Sequence, residues 1–194
     1  MNKKGFTLIE LLVVIAILAI LSVAVVLTLN PAQLLAQARD SQRISDVSTL
    51  KSAIAFYLTD VSSPSIGTSN TLYAADLAVT TSSFAAIYQV DRSSTTLNAT
   101  TTGSAAASTT GGGWIPINFA GISSGSPLGS EPKDPVNNNT YYYSYITNGS
   151  PSYQFEINAN MESTKYAASG TADAESVDGG TSFRIYEAGT NLGL

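Results

Sequence analysis

Residues 3–31 read KKGFTLIELLVVIAILAILSVAVVLTLNP, and this segment sets the expected architecture of the whole chain. Between Phe6 and Leu29 the only charged residue is Glu10. At about 1.5 Å per residue, a helix of this length spans roughly 36 Å, slightly more than the hydrocarbon core of a bilayer. Because Lys3 and Lys4 directly precede the run, the positive-inside rule predicts a cytoplasmic N-terminus with the remaining chain on the outer side.

Two simpler explanations account for only part of this segment. A cleaved secretory signal has an apolar region of about 7–15 residues that ends at a small-residue cleavage site. The run here is longer, and Leu27–Pro31 is a poor site of that kind. A plain membrane anchor explains the length and the lysines, but it does not explain the carboxylate of Glu10 near the start of the run.

Glu10 is therefore the informative residue of the segment. An ionised carboxylate in hydrocarbon costs at least a few kcal/mol, and the apolar run contains no cation that could serve as its partner. If the chain were cut after Gly5, Phe6 would become the N-terminus and carry an ammonium group. The Glu10 carboxylate of one subunit could then meet the Phe6 ammonium of a neighbour when the helices stack out of register. Glu10 would in that case set the axial register of an assembly.

The same residues resemble a known processing signal. Lys3–Leu12, KKGFTLIELL, is similar to the class III signal of type IV prepilins and type II secretion pseudopilins. The resemblance implies that a membrane prepilin peptidase removes residues 1–5 by cleavage between Gly5 and Phe6, and that Phe6 is then N-methylated. It also implies that residues 6–29 are first a transmembrane helix and later the filament core.

The resemblance has further implications for partners and location. Mature subunits of this family assemble into a helical homopolymer at an inner-membrane assembly platform. The precursor would therefore be a single-pass protein of the bacterial inner membrane with a cytoplasmic N-terminus. The assembled filament would lie at the cell surface or in the periplasm.

The composition narrows the chemistry open to the remaining chain. The sequence has no Cys and no His, which excludes disulfides, Cys or His metal sites, and Ser-His or Cys-His catalysis. Asp and Glu number 14 against 9 Lys and Arg, a balance that argues against binding to nucleic-acid backbones. We therefore predict no catalytic residue, no cofactor, no metal site and no nucleic-acid partner.

Residues 30–60 are predicted to form an amphipathic helix that belongs to the head. Pro31 predicts a kink or local melting, and we favour a kinked continuation of the first helix. Apolar residues then recur mostly at three- and four-residue steps, as in an amphipathic stripe. The stripe consists of Leu34, Leu35, Val47, Leu50, Ile54, Tyr57, Leu58 and Val61. The polar side carries Arg39, Asp40, Arg43, Asp46 and Lys51. We interpret these charges as a solvated face, with Arg39 and Arg43 open to pairing with acids of adjacent subunits.

Residues 61–113 form a region rich in Ser, Thr and Gly. Clusters such as Ser93–Thr96 and Gly111–Gly113 predict loops. Tyr73–Val90 holds enough apolar residues for a short helix or an irregular packed segment. O-linked glycosylation of the hydroxyl-rich runs stays open, and solvated loop is the expectation.

Residues 114–194 are predicted to form a small antiparallel sheet and a C-terminal loop. The candidate strands are Trp114–Phe119, Tyr141–Thr147, Ser152–Ala159 and Ser182–Glu187, and Asn148-Gly149 indicates a hairpin. Tyr141, Tyr142, Tyr143 and Tyr145 are expected to be half-buried, with packed rings and solvated hydroxyls. The segment Glu131–Asn137 also resembles the Asp-Pro stretch that precedes a strand in pseudopilin heads.

An antiparallel sheet with one apolar face needs a cover, which the helical stripe can supply. The predicted fold class is therefore α+β. A long N-terminal helix, membrane-spanning in its first half and amphipathic in its second, packs on a small β-sheet head.

Asp173, Glu175 and Asp178 form the remaining candidate site. Three acids within a loop that contains Gly179-Gly180 could bind calcium, which takes oxygen ligands in flexible geometry. Their spacing is not that of an EF-hand, and a solvated acidic loop is the expectation.

We expect a structural subunit of a type IV pilus that serves adhesion, motility or DNA uptake, and not an enzyme. A pseudopilin of a type II secretion system has the same signal, so the first ten residues do not separate the two. A membrane-tethered extracytoplasmic binding module is the alternative of another class.

Overall fold

A computed structural model of the chain describes residues 5–69, 71–76, 100–104 and 106–194. The chain divides into two compact units, Met1–Ala36 and Gln37–Leu194. The cluster Ser93–Thr96 and most of the predicted segment Tyr73–Val90 lie outside the described residues. The helices are α1, Leu8–Leu29, and α2, Pro31–Asp60, and a 3₁₀ turn covers Phe119–Gly121. The strands are β1, Thr71–Ala74; β2, Thr100–Gly103; β3, Tyr143–Thr147; β4, Phe155–Ala159; and β5, Tyr186–Gly189.

Helix α1 is apolar on all sides, as its sequence requires. Its window Leu8–Val26 has a mean hydropathy of 3.1, and 0% of it is buried within the chain. By length and composition, this is the one helix among the described residues that could cross a membrane. A helix with the length and composition expected of the predicted membrane span is therefore present in the fold.

The two helices are separated at Asn30. This residue has a φ of 41°, a left-handed conformation that asparagine tolerates better than most residues. Pro31 then takes the first position of α2, where the missing N–H of proline is not needed. The interruption expected near Pro31 is confirmed: α1 ends at Leu29, and after the single residue Asn30 the chain continues into the second helix, α2.

The apolar stripe of α2 covers the sheet over most of its predicted length. Val47, Leu50, Ile54 and Tyr57 are buried in the main hydrophobic cluster of the second compact unit, and Leu58 and Val61 pack against that cluster. Leu34 and Leu35, the first two residues of the predicted stripe, are exposed, so the prediction is wrong for these two positions. They precede Gln37, the first residue of the unit that contains the sheet.

The sheet has five strands in the order β2-β1-β3-β4-β5. Strand β3 pairs antiparallel with β1 and β4, and β4 pairs antiparallel with β5, whereas β2 pairs parallel with β1 at the edge. In the centre, Tyr145 lies opposite Ile157 of β4 and Tyr73 of β1. The predicted α+β architecture with an antiparallel sheet is confirmed, and β3 and β4 form the predicted hairpin around Asn148-Gly149.

Several predicted strands differ from the structure. Trp114–Phe119 is not a strand, because its only ladder contact is an isolated bridge between Thr110 and Asn118. Its apolar side chains are buried all the same, so the hydrophobic pattern reflects core packing without strand pairing. Strand β5 lies C-terminal to most of the predicted Ser182–Glu187. Strands β1 and β2 fall within residues predicted as loop, helix or irregular packing, and both are short.

Both faces of the sheet are buried. One face, with Tyr143, Tyr145, Phe155 and Ile157, packs in the cluster that contains the α2 stripe. The other face contributes Leu72, Ala74, Tyr142, Ile146 and Ile185 to a second cluster. The prediction of half-buried tyrosines is therefore wrong for Tyr142, Tyr143 and Tyr145. The buried hydroxyls of Tyr143 and Tyr145 donate to Asp46 Oδ2 at 2.9 Å and to the Ile66 carbonyl at 2.8 Å.

We predict that Leu50→Ala lowers the free energy of unfolding by about 2–5 kcal/mol, because it removes buried methyl groups and leaves a cavity. The matched control is Leu34→Ala, the same change at an exposed side chain. Urea denaturation of the full chain in detergent, followed by the fluorescence of the single tryptophan, Trp114, measures both variants. Equal destabilisation by the two variants would contradict the assignment of Leu50 to the core.

Candidate functional site

The first turn of α1 is closed by a reciprocal set of hydrogen bonds. The Thr7 hydroxyl oxygen accepts from the Glu10 N–H at 3.3 Å. The Glu10 carboxylate accepts from the Thr7 N–H at 2.8 Å and from the Thr7 hydroxyl at 2.6 Å. This capping box satisfies backbone donors that a helix N-terminus leaves without partners. The role of Thr7 was not predicted from the sequence, although Thr-x-x-Glu before an apolar run is the signal of a capping box.

The capping box supplies hydrogen bonds to Glu10 but no opposite charge. Within the described part of the chain, every ion pair lies in the second compact unit. The surface around the carboxylate is lined by Phe6, Ile9, Val13 and Val14, which are all apolar. Hydrogen bonds reduce the cost of placing an anion in such surroundings but do not remove it. Glu10 is thus a hydrogen-bonded anion without a counter-charge in the described chain.

Gly5 and Phe6 form the accessible segment ahead of the helix. Both are exposed and non-helical, and nothing lies within 4 Å of the position that a Gly5 side chain would take. Exposed, irregular backbone is where proteases cut most readily. The cleavage between Gly5 and Phe6 and the methylation of Phe6 stay predictions, and the local geometry leaves the bond within reach of a peptidase.

In the second compact unit, the charges of α2 are mostly turned inward. Arg43 is fully buried, and its Nε and Nη2 donate to the two carboxylate oxygens of Asp134 at 2.6 and 2.9 Å. Its Nη1 donates to Asp40 at 2.7 Å and lies 3.4 Å from Glu162. Among these contacts, the hydrogen bonds from Arg43 to Asp134 hold the pKa of the guanidinium above its ordinary value, although burial acts in the opposite direction.

The same acids also fix two loops by their backbone. Asp40 accepts from the N–H groups of Glu162 and Ser163 at 2.9 and 2.8 Å. Asp134 accepts from the N–H groups of Val136 and Asn137 at 2.8 and 3.2 Å. The buried ion-pair cluster therefore ties α2 to the loop before β3 and to the loop after β4.

The solvated polar face predicted for α2 is accordingly wrong at Asp40 and Arg43, which are both 0% exposed. Arg39 is partly exposed and pairs with Glu162, Nη2 to Oε1 at 2.5 Å. Both arginines thus have acidic partners within their own chain, whereas the sequence had left pairing with acids of adjacent subunits open. The pairs with Asp134 and Glu162 could not be predicted, because these two acids lie about ninety residues or more away in the sequence, in loops.

Asp173, Glu175 and Asp178 do not converge on a common point. Asp173 accepts from the N–H groups of Ser169, Glu175 and Ser176 and from the Ser176 hydroxyl. Glu175 accepts from Met161 and Ala168, and Asp178 accepts from Gly180 and Glu187. No group of three or more acids able to hold a metal ion occurs in the described ranges. Each carboxylate accepts hydrogen bonds from its own set of backbone N–H groups. The prediction of a solvated acidic loop is wrong for Glu175, which is buried.

Glu131 and Glu175 are buried carboxyl groups of the second unit, and no salt bridge to either occurs among the described residues. Burial raises the pKa of Glu131 to about 7, although N–H groups of Ile115 and Trp114 donate to it and Lys133 is nearby. Its Oε1 has no hydrogen-bond partner in the structure. Burial likewise raises the pKa of Glu175 to about 7. No sequence pattern indicated that Glu131 would be buried, although it lies in the segment Glu131–Asn137 that resembles the Asp-Pro stretch.

We predict that the second unit loses stability as the pH rises from about 5 to 8. The folded pKa of Glu131 and of Glu175 is about 7, above the value of about 4.3 in an unfolded chain. The folded state therefore binds more protons in this window, and the free energy of unfolding falls by up to roughly 3 kcal/mol per group.

Urea titrations at pH 5 and pH 8 measure this dependence. Glu131→Gln and Glu175→Gln should each reduce the decrease. Glu162→Gln is the control, because the Arg39 hydrogen bond lowers the pKa of Glu162, so that its own contribution is lost below this window. A stability that rises between pH 5 and pH 8 would show that these two carboxyl groups are ionised in the folded protein.

We also predict that Arg43→Met destabilises the chain by about 3–5 kcal/mol, because it leaves the Asp40 and Asp134 carboxylates buried without a cation. The control Arg39→Met removes a partly exposed pair and should cost about 1 kcal/mol or less. Thermal and urea unfolding of both variants provide the measurement. Similar small losses in the two variants would mean that the Arg43 cluster is solvated.

Comparison with known proteins agrees with the geometry of the N-terminal segment. The family model described as the prokaryotic N-terminal methylation motif matches residues 1–26, which include Gly5, Phe6 and Glu10. No curated protein and no solved structure matches the chain. The matched motif is the class III signal of type IV pilins, and here it precedes an apolar helix, a second helix and an antiparallel sheet. The N-terminal motif therefore supports a type IV pilin-like or pseudopilin protein.

Proposed function

We propose that this chain is a structural subunit of a type IV pilus, a filament held together by the apolar helices of its subunits. The observation that carries the proposal is the Glu10 carboxylate on an exposed apolar helix, which has hydrogen bonds but no counter-charge among the residues that the structure describes. An arrangement of this kind is unfavourable in a lone subunit and becomes favourable when a neighbour brings a cation.

The apolar surface of α1 supports a role before and after assembly. Its large side chains from Leu8 to Val26 are exposed, and so extensive an apolar surface is stable only against lipid or against other apolar surfaces. In the inner membrane the helix would contact lipid tails. In a filament the same side chains would contact α1 of other copies, so that assembly exchanges one apolar environment for another.

The charge of Glu10 then selects one register among these apolar packings. A cut after Gly5 creates an ammonium group on Phe6, and a neighbour displaced along the filament axis can place that group beside Glu10. Thr7 is the second residue of the mature chain, so its N–H and hydroxyl stay available to the carboxylate after the cut. The pair therefore adds the missing positive charge to a carboxylate whose position the capping box already fixes.

Two features favour a pilus subunit over a pseudopilin. Residues 61–113 form a long hydroxyl-rich region, which suits the variable outer surface of a pilus. The carboxylates at Asp173, Glu175 and Asp178 are engaged with separate backbone N–H groups, and they offer no shared cavity for a calcium ion. A prepilin peptidase, an inner-membrane assembly platform and further copies of the chain would be the partners. A short periplasmic pseudopilus of a secretion system is the second candidate.

We predict that Glu10→Ala inserts into the membrane but yields at least about tenfold fewer filaments, because the register pair is lost. Glu10→Gln keeps the hydrogen-bond acceptor without the charge and should fail in the same way. The matched control is Leu11→Ala, a truncation at the adjacent position of α1, which should leave assembly largely intact. Membrane fractionation gives the insertion, and electron microscopy of sheared surface material gives the filament count.

The outcomes separate the alternatives. Normal filaments from Glu10→Ala would contradict the proposal that Glu10 sets the axial register of the filament. Filaments confined to the periplasm, with none at the surface, would favour the pseudopilin. A monomeric, membrane-tethered protein in cells that process other prepilins would favour the binding module.

A further inference from the structure

The second compact unit has two separate groups of exposed large apolar side chains. Within the described residues these side chains are Phe56, Val136, Val177 and Phe183. Phe56 lies on α2, whereas Val177 and Phe183 lie in the segment between β4 and β5. Phe56 and Phe183 are 43% and 48% exposed, an unusual degree for two phenylalanines of a small head.

Phe56 borders a groove, which we call the helix groove. It has a volume of about 390 Å³ and is lined chiefly by Thr49, Ser52, Ala53, Phe56, Pro127 and Leu128. Two hydroxyls on its helical wall are already bonded within α2, Thr49 to the Ser45 carbonyl at 2.8 Å and Ser52 to the Ser48 carbonyl at 2.9 Å. A partner that covers the groove therefore leaves neither of these two donors unsatisfied.

A fixed anion lies next to the helix groove. Asp60 follows Phe56 by four residues, so both side chains lie on the same side of α2. The Asp60 carboxylate accepts from the Ser123 N–H at 2.6 Å and from its hydroxyl at 2.7 Å. These bonds hold the carboxylate in place while it stays exposed. The groove thus presents an aromatic ring with a negative charge one helical turn away.

The other apolar group presents the complementary pair. Phe183 and Arg184 are adjacent and exposed, and the Arg184 guanidinium carbon lies 5.4 Å from the centre of the Phe183 ring. We call these two residues the Phe-Arg pair. It offers an aromatic ring with a positive charge beside it, which matches the ring and the negative charge at the helix groove.

We propose that the helix groove of one subunit receives the Phe-Arg pair of a second copy of this chain, with Phe183 against Phe56 and Leu128 and with Arg184 beside Asp60. The inference rests on the proposed filament. Two different patches of one chain that bind each other form a heterologous contact, and such contacts propagate into open helical assemblies. The contact would hold neighbouring heads together on the outside, independently of the α1 helices.

Disulfide trapping tests this contact cleanly, because the chain has no cysteine of its own. A variant with Ser52→Cys and Thr181→Cys keeps the Phe183 ring and places the second cysteine on an exposed residue two positions before it. The variant, expressed in cells that assemble the filament, is oxidised in intact filaments and separated on a denaturing gel, and we expect a ladder of dimers and higher multimers. The control carries Ser45→Cys and Thr181→Cys, which moves the α2 cysteine two helical turns away, about 10 Å, and should give at least about fivefold less crosslinking.

A charge exchange gives a second readout that does not depend on cysteine geometry. Asp60→Arg and Arg184→Asp should each reduce the filament count severalfold, and the double variant should restore most of it. Filaments that form normally but give no ladder above the Ser45 control would overturn the contact while leaving the proposed pilus role intact. Filaments that are absent even from the unmodified chain would contradict the pilus role itself, and this contact with it.

Discussion

The Glu10 carboxylate is the constraint on which the proposed assembly depends. It lies at the start of a helix that is otherwise apolar and exposed, and among the described residues its hydrogen bonds come from Thr7. Hydrogen bonds from a neutral residue lower the cost of the ionised group but do not balance its charge. In the proposed filament, the subunit would gain free energy when a neighbour supplies a cation beside Glu10.

The second compact unit handles its charges in the opposite way. Arg43 is fully buried, and its guanidinium lies beside the carboxylates of Asp40, Asp134 and Glu162. The loops that carry Asp134 and Glu162 are fixed by the same contacts. Because acids of the same chain compensate the charge of Arg43, this cluster provides no electrostatic driving force for binding another subunit. The proposed contact between heads instead uses the exposed aromatic side chains of Phe56 and Phe183.

Much of the fold followed from local pattern. The apolar run predicted α1, the three- and four-residue spacing predicted the buried side of α2, and the alternation at Tyr153–Ala159 with Asn148-Gly149 predicted the β3–β4 hairpin. Long-range pairing could not be predicted in this way. Strand β1 is four residues long, and it pairs with β2, about thirty residues later, and with β3, about seventy residues later. For the same reason the pairing of Arg43 with Asp134 could not be predicted, because helical spacing indicates only nearby residues such as Asp40. Thr7 was different, because its capping signal was present in the sequence.

The most direct test of the Glu10 and Phe6 pairing is the intact mass of the subunit from isolated filaments or, failing these, from membranes. A chain that begins at Phe6 and carries one added methyl group is expected, because only that cut creates the ammonium group that Glu10 needs. A mature chain that still begins at Met1 would contradict the pairing, and with it the proposed basis of assembly.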